Sequence, residues 1–280
     1  MWKLTLPDDS NRREEITTAL TYKNGISKYE LTEGELDIID DIYTLYHENR
    51  GMPCDELKGE GVSDATKQAM KDAYAEVQGS GRLSSLRSRL FLSAKKCPMC
   101  GIEATTDLDH YLPESKYKCL AIHSRNLIPT CHKCNNKKRA AVVEGGVGFL
   151  HLYYFDDPGY IFFTASTEIK NSALSIDFNI IKVGGMSQDV YESLCYHMRK
   201  IDLNDRLKTE SNDFLGSMYT SFELTFHTSG IDGLRNLLKK TRDNYTSRYG
   251  LNHWKRALMD SLSDNQEFLN TGFKTALGTP

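Results

Sequence analysis

Residues 97–138 read CPMCGIEATTDLDHYLPESKYKCLAIHSRNLIPTCHKCNNKK, and this stretch decides how the rest of the chain is read. Cys97 and Cys100 open it, and Cys131 and Cys134 close it. Between them lie Asp109-His110, Pro113 and Asn126, and the second pair runs directly into Asn135. A Cys-x-x-Cys knuckle presents two thiolates at the bite a tetrahedral ion takes, and two knuckles complete four ligands whatever the loop between them. The expectation is a structural Zn²⁺ on Cys97, Cys100, Cys131 and Cys134, with a decayed or iron-loaded site as the alternative. Zinc binding of this kind is worth on the order of 10–16 kcal/mol in small peptides. That is ample to hold a loop-rich stretch too small to be held by apolar burial.

A chain of 280 residues can form one large domain or two to three small ones. Four of the seven cysteines sit in the two knuckles. Cys54, Cys119 and Cys195 lack such spacing and read as small buried apolar residues. A formal charge of -3 argues against indiscriminate polyanion binding by the whole surface, while leaving room for a local basic one. No stretch is apolar over the ~18 residues a membrane span needs. The N-terminal MWKLTLPDDSNRREE lacks the charged-then-apolar layout of a secretory signal. A cytoplasmic protein with no membrane partner is therefore expected.

Working outward, Trp2, Leu4 and Leu6 alternate with polar residues, which suggests a short strand or an extended arm. Thr32-Glu33-Gly34-Glu35 fits a capping box, and Leu36, Ile39, Ile42/Tyr43 and Tyr46 then recur at helical period until Asn49-Arg50-Gly51. Ser63 is positioned to cap a second helix running to about Val77, broken by Gly79-Ser80-Gly81. A third segment, Arg82 to Lys96, carries Leu83, Leu86, Leu90 and Phe91 on one side. Its cations Arg82, Arg87, Arg89, Lys95 and Lys96 form either a solvated face or a phosphate contact. Gly145-Gly146 and Gly148 suggest a domain edge, and Asp156-Asp157-Pro158-Gly159 a turn. Tyr160–Ala165 and Leu174–Ile180 read as strands. From Ser187 the helical period returns in a long helix through Leu207 and Phe214 to Phe226. A shorter helix ends at Lys239-Lys240, an amphipathic segment follows over Trp254–Phe268, and the tail from Gly278 is expected to fray. The predicted fold class is α+β, mostly helical. Three regions are expected: a helical N-terminal region 1–90, a zinc-held domain 91–145, and a strand-plus-helix region 146–280.

Asp109-His110-x-x-Pro113, followed by Asn126 and Asn135, resembles the HNH endonuclease family over about forty of the 280 residues. The resemblance implies a ββα-metal unit: a two-stranded hairpin and a helix clasping one divalent ion. It implies metal-dependent hydrolysis of phosphodiester bonds in DNA, leaving a 5′-phosphate and a 3′-hydroxyl. His110 would be the general base, because a neutral imidazole can take a proton from water near pH 7. Asp109 and Asn135 would bind Mg²⁺ or Mn²⁺, hard ions that favour oxygen. Asn126 would hold the loop and orient His110. The family's last letter is Asn here, and Asn136 is an alternative ligand one residue along. His132 is expected on the helix surface near phosphate, and His123 without a role. Lys133, Lys137, Lys138 and Arg139 would face a polyanion and supply affinity without base selectivity.

The flanks, with His151-x-Tyr153, are similar in layout to nucleases of bacterial antiphage defence, such as the HNH subunit of Septu-type ATPase–nuclease pairs. That resemblance implies a regulatory partner such as an ABC-type ATPase on another chain, since no Walker-type Gly-rich loop occurs here. Two alternatives stay open. The same chemistry could act on RNA such as a tRNA. The unit could also be a zinc-held nucleic-acid-binding module without turnover, a role that has no need of Asp109, His110 and Asn135 together.

Overall fold

Two small antiparallel hairpins sit among helices that carry most of the chain. The computed structural model describes residues 3–156 and 159–278. Trp2, Asp157 and Pro158 of the expected turn, and the last two residues of the tail lie outside the described residues. The architecture is mostly helical α+β, and the contacts divide the chain into two compact units. The first holds residues 3–99 and 103–156; the second holds the described residues from 159 onward, with which 100–102 are grouped. Apart from 100–102, the described residues of the stretches 1–90 and 91–145 are grouped in the first unit.

In the first unit, α1 (Arg12–Ala19) is a helix that apolar periodicity did not announce. It buries only Ile16 and Ala19. Its polar face is tied to α2 (Glu33–Glu48) by Arg12 to Asp40 at 2.6 and 2.8 Å and by Arg13 to Asp37 at 2.8 Å. The Thr32/Glu35 capping box forms as expected, and Ile39, Ile42, Tyr43 and Tyr46 are the buried face of α2. Ser63 caps α3 (Asp64–Asp72), which tightens into a 3-10 turn over Ala73–Val77. α4 (Ser84–Ser93) buries Leu86 and Leu90. Of its flanking cations, Arg82 donates to the Thr21 and Tyr22 carbonyls, Arg87 to the Thr106 carbonyl, and Arg89 to Glu15. β1 (Asp107–His110) pairs antiparallel with β2 (Leu127–Thr130), Asp109 opposite Ile128, and α5 (His132–Lys138) follows at once. Phe149–Phe155 forms no strand. It is a buried aromatic plug whose Tyr153 hydroxyl donates to the Leu127 carbonyl at 2.9 Å.

In the second unit, β3 (Phe163–Lys170) and β4 (Ala173–Ile180) form a hairpin turned at Asn171-Ser172, both at positive φ. That is the twist a tight two-residue turn requires. The first strand starts and ends later than its apolar run suggested, because register with β4 sets its length. α6 (Gln188–Lys200) is capped by Ser187. α7 (Leu203–Tyr249) contains Gly230 at φ 61, ψ -156, a kink between two helical halves. The second half runs past Lys240 to Gly250, since two lysines do not end a helix. α8 (Trp254–Asp264) and α9 (Phe273–Leu277) complete the unit. Among the described residues, no helix is long and apolar enough to cross a membrane.

Candidate metal centre and adjoining cleft

All seven cysteines are thiols, and the sulfurs of Cys97, Cys100, Cys131 and Cys134 lie within 4.8 Å of one another, fully buried. A tetrahedron of Zn–S bonds of about 2.3 Å would space the sulfurs by roughly 3.8 Å, so small side-chain rotations close the cluster on an ion. Four buried thiols clustered away from water have no apolar reason to converge. The donor set fits a structural zinc and leaves no open position. The first knuckle is shaped by Gly101 at φ 73 and by the Cys97 amide donating to the Glu103 carbonyl at 2.9 Å. The second contributes Cys131 as the N-cap of α5 and Cys134 on its buried side.

The staple delivers α5 against β1. Strand alternation turns Asp107 and Asp109 toward α5 and His110 the other way. The His110 ring packs on Tyr74, centroids 4.4 Å apart, and its Nε2 lies 2.8 Å from the Ala121 carbonyl. A carbonyl can only accept, so Nε2 carries the proton and Nδ1 keeps its lone pair. Among the described residues Nδ1 has no hydrogen-bond partner. Burial, helped by nearby Lys138 and opposed by the Ala121 contact, lowers the His110 pKa to about 4 and keeps the ring neutral. Asn126 is wholly buried. Its Oδ1 accepts from the Leu112 amide at 2.8 Å and the Tyr46 hydroxyl at 3.0 Å, while Nδ2 donates to the Leu112 and Leu120 carbonyls. It therefore holds the loop carrying Ala121 and acts on His110 only through that backbone. The Tyr46 hydroxyl also meets His151 Nε2 at 2.8 Å, so His151 belongs to the same buried frame.

One expectation is corrected. Lys138 does not face a polyanion. It is 2% exposed, its ammonium 3.0 Å from Asp109 Oδ2 and 2.7 Å from the His110 carbonyl. The last turn of α5 points it inward, so its place in a run of cations was misleading. Asp109, in turn, is already engaged: burial raises its pKa to about 6, against the pull of Lys138. The same ammonium donates to its Oδ1 at 3.2 Å. The residue the sequence reading missed is Asp107, whose Oδ2 accepts from Asn135 Nδ2 and His132 Nδ1, each at 2.9 Å. Burial raises its pKa, but the hydrogen bonds from Asn135, His132 and Thr106 outweigh that and lower it. The period-2 pattern, which places Asp107 beside Asp109, was the signal available. His132 is exposed, as expected, and Lys133 pairs with Glu103 at 3.0 Å. His123 is buried against the rings of Tyr43 and Tyr46.

Asp109, His110 and Asn135 line one cleft of about 330 Å³, together with Tyr74, Glu114 and Arg139. The Asn135 Oδ1 has no hydrogen-bond partner among the described residues, whereas both Asp109 oxygens sit on the Lys138 ammonium, Oδ1 at 3.2 Å and Oδ2 at 3.0 Å. Carboxylate and amide oxygens are the donors a hard divalent ion takes, and an ion on Asp109 would compete with the Lys138 ammonium.

No protein-family model matches the chain, and no solved structure matches it. Among curated proteins it is similar to protein ea31 of Escherichia phage lambda, 24% identical over 198 residues, which cover 64% of this chain and 65% of that protein. The chain thus spans somewhat less than two thirds of the relative's length. Relatedness at that distance carries no activity across.

Proposed function

We propose that this chain is a metal-dependent endonuclease of the HNH type that hydrolyses phosphodiester bonds in DNA. The observation that carries the reading is the convergence of Asp109, His110 and Asn135 on one cleft beside a thiolate-stapled β-β-α unit. His110 would accept a proton from the attacking water at Nδ1, while Nε2 stays anchored on Ala121. The burial that keeps the ring neutral also makes it a weaker base. Asp109 and Asn135 would hold Mg²⁺ or Mn²⁺, which when bound offsets charge on the phosphate and on the leaving oxygen. Arg139 at the cleft, with Lys133 and Lys137 on the exposed side of α5, would meet the phosphate backbone and give salt-dependent, sequence-tolerant affinity.

The test is incubation of end-labelled plasmid, single-stranded DNA and total RNA with the zinc-loaded protein. DNA cleavage is expected with Mg²⁺ or Mn²⁺, stopped by EDTA, restored by fresh Mg²⁺, and absent in His110→Ala at unchanged zinc content. Cleavage of RNA alone would move the substrate class. Binding without turnover under every metal condition would leave a zinc-held binding module.

A further inference from the structure

We infer that Asp107 is a positioning residue: it turns the Asn135 amide so that its oxygen, not its nitrogen, faces the ion-binding cleft. This rests on the nuclease reading above and names how its metal ligand is oriented. The Asp107 carboxylate has no proton to give, so the end of Asn135 that meets it at 2.9 Å is Nδ2. Oδ1 is thereby turned away from Asp107, on a side chain that lines the cleft with Asp109 and His110. A hard divalent ion takes an amide oxygen and never the amide nitrogen. An amide free to flip would offer the wrong end part of the time, and Asp107 removes that freedom. Asp107 is itself held. His132 Nδ1 meets the same Oδ2 at 2.9 Å, and the Thr106 hydroxyl donates to Oδ1 at 2.9 Å.

A double-mutant cycle separates orientation from charge. The readout is Mn²⁺ uptake, followed by loss of the free-ion electron paramagnetic resonance signal, with zinc content and circular dichroism as fold controls. In the Asn135 background, Asp107→Ala should weaken Mn²⁺ binding by about tenfold or more, the usual range for removing a group that orients a ligand. In the Asn135→Asp background both oxygens of residue 135 are equivalent. Orientation then no longer matters, and Asp107→Ala should cost no more than about twofold, or gain affinity by relieving repulsion. Should Asp107→Ala fail to fold, Asp107→Asn enters the same cycle: it leaves the amide free to pair either way round, and loses affinity in the first background only. Equal losses in both backgrounds would mean that Asp107 contributes charge alone, and no loss in either would mean it contributes nothing; both overturn the inference while DNA cleavage by the wild type stands. A wild type that takes up no Mn²⁺ overturns the nuclease reading and this inference with it.

Discussion

Lys138 and Asp109 form a buried ion pair in which neither group reaches water. Removing the cation leaves a carboxylate in low dielectric, and breaking such a pair costs about 3–5 kcal/mol. Lys138→Met should therefore lower the urea midpoint. Because Asp109 can escape by taking a proton, the loss should be larger at pH 8 than at pH 5; an equal loss at both would contradict the pairing. His123 makes a second prediction at this scale. Its ring lies 4.1 Å from that of Tyr43, neither nitrogen has a hydrogen-bond partner among the described residues, and burial holds its pKa well below the usual value. Burial does the same to His151. The unfolded chain binds protons at both positions below about pH 6.5 while the native state does not, so stability falls as pH drops through that value. His123→Phe should flatten the fall measured by urea unfolding between pH 7 and pH 5, and an unchanged slope would refute it. Nothing in the one-dimensional pattern distinguishes Lys138 from Lys137. Burial is decided by which face of α5 meets β1.

At the scale of elements, α5 has seven residues and β1 and β2 four each, too short to persist on local propensity. Their order depends on the thiolate cluster. Cys97→Ser or Cys134→Ser should lose zinc and ordered β1-β2-α5 together, read by metal content and by amide exchange. A metal-replete, protected variant would dismiss the staple. The kink of α7 depends on one residue: Gly230 occupies φ 61, ψ -156, a region open essentially to glycine. Gly230→Ala should cost about 1–3 kcal/mol, seen as a lower thermal midpoint, although no atom lies within 4 Å of the added methyl. The cap at Thr32 and the strand over Leu174–Ile180 were readable because each depends on neighbours in the chain. α1 was not, since its stability comes from ion pairs with a helix some 25 residues away in sequence.

At the scale of the molecule, the nuclease reading sets an outcome for the whole protein. A freely active enzyme would cut its host's nucleic acid, so restraint by another chain is proposed, an ABC-type ATPase by the resemblance in layout. Purification from the native source at low salt should return a particle heavier than the 31.8 kDa chain by mass measurement, and a lone chain would remove the proposal. The sequence by itself determined the mostly helical α+β class and the four cysteines that cluster. Paired Cys-x-x-Cys spacing limits which side chains could share one ion, and no fold is needed to see it. Only the tertiary structure decided that Asp107 clamps Asn135, that Lys138 turns inward to Asp109 and that Asn126 acts through the backbone. Each of these depends on which surface a strand or helix face meets, and that is set by packing between segments that the linear order leaves apart.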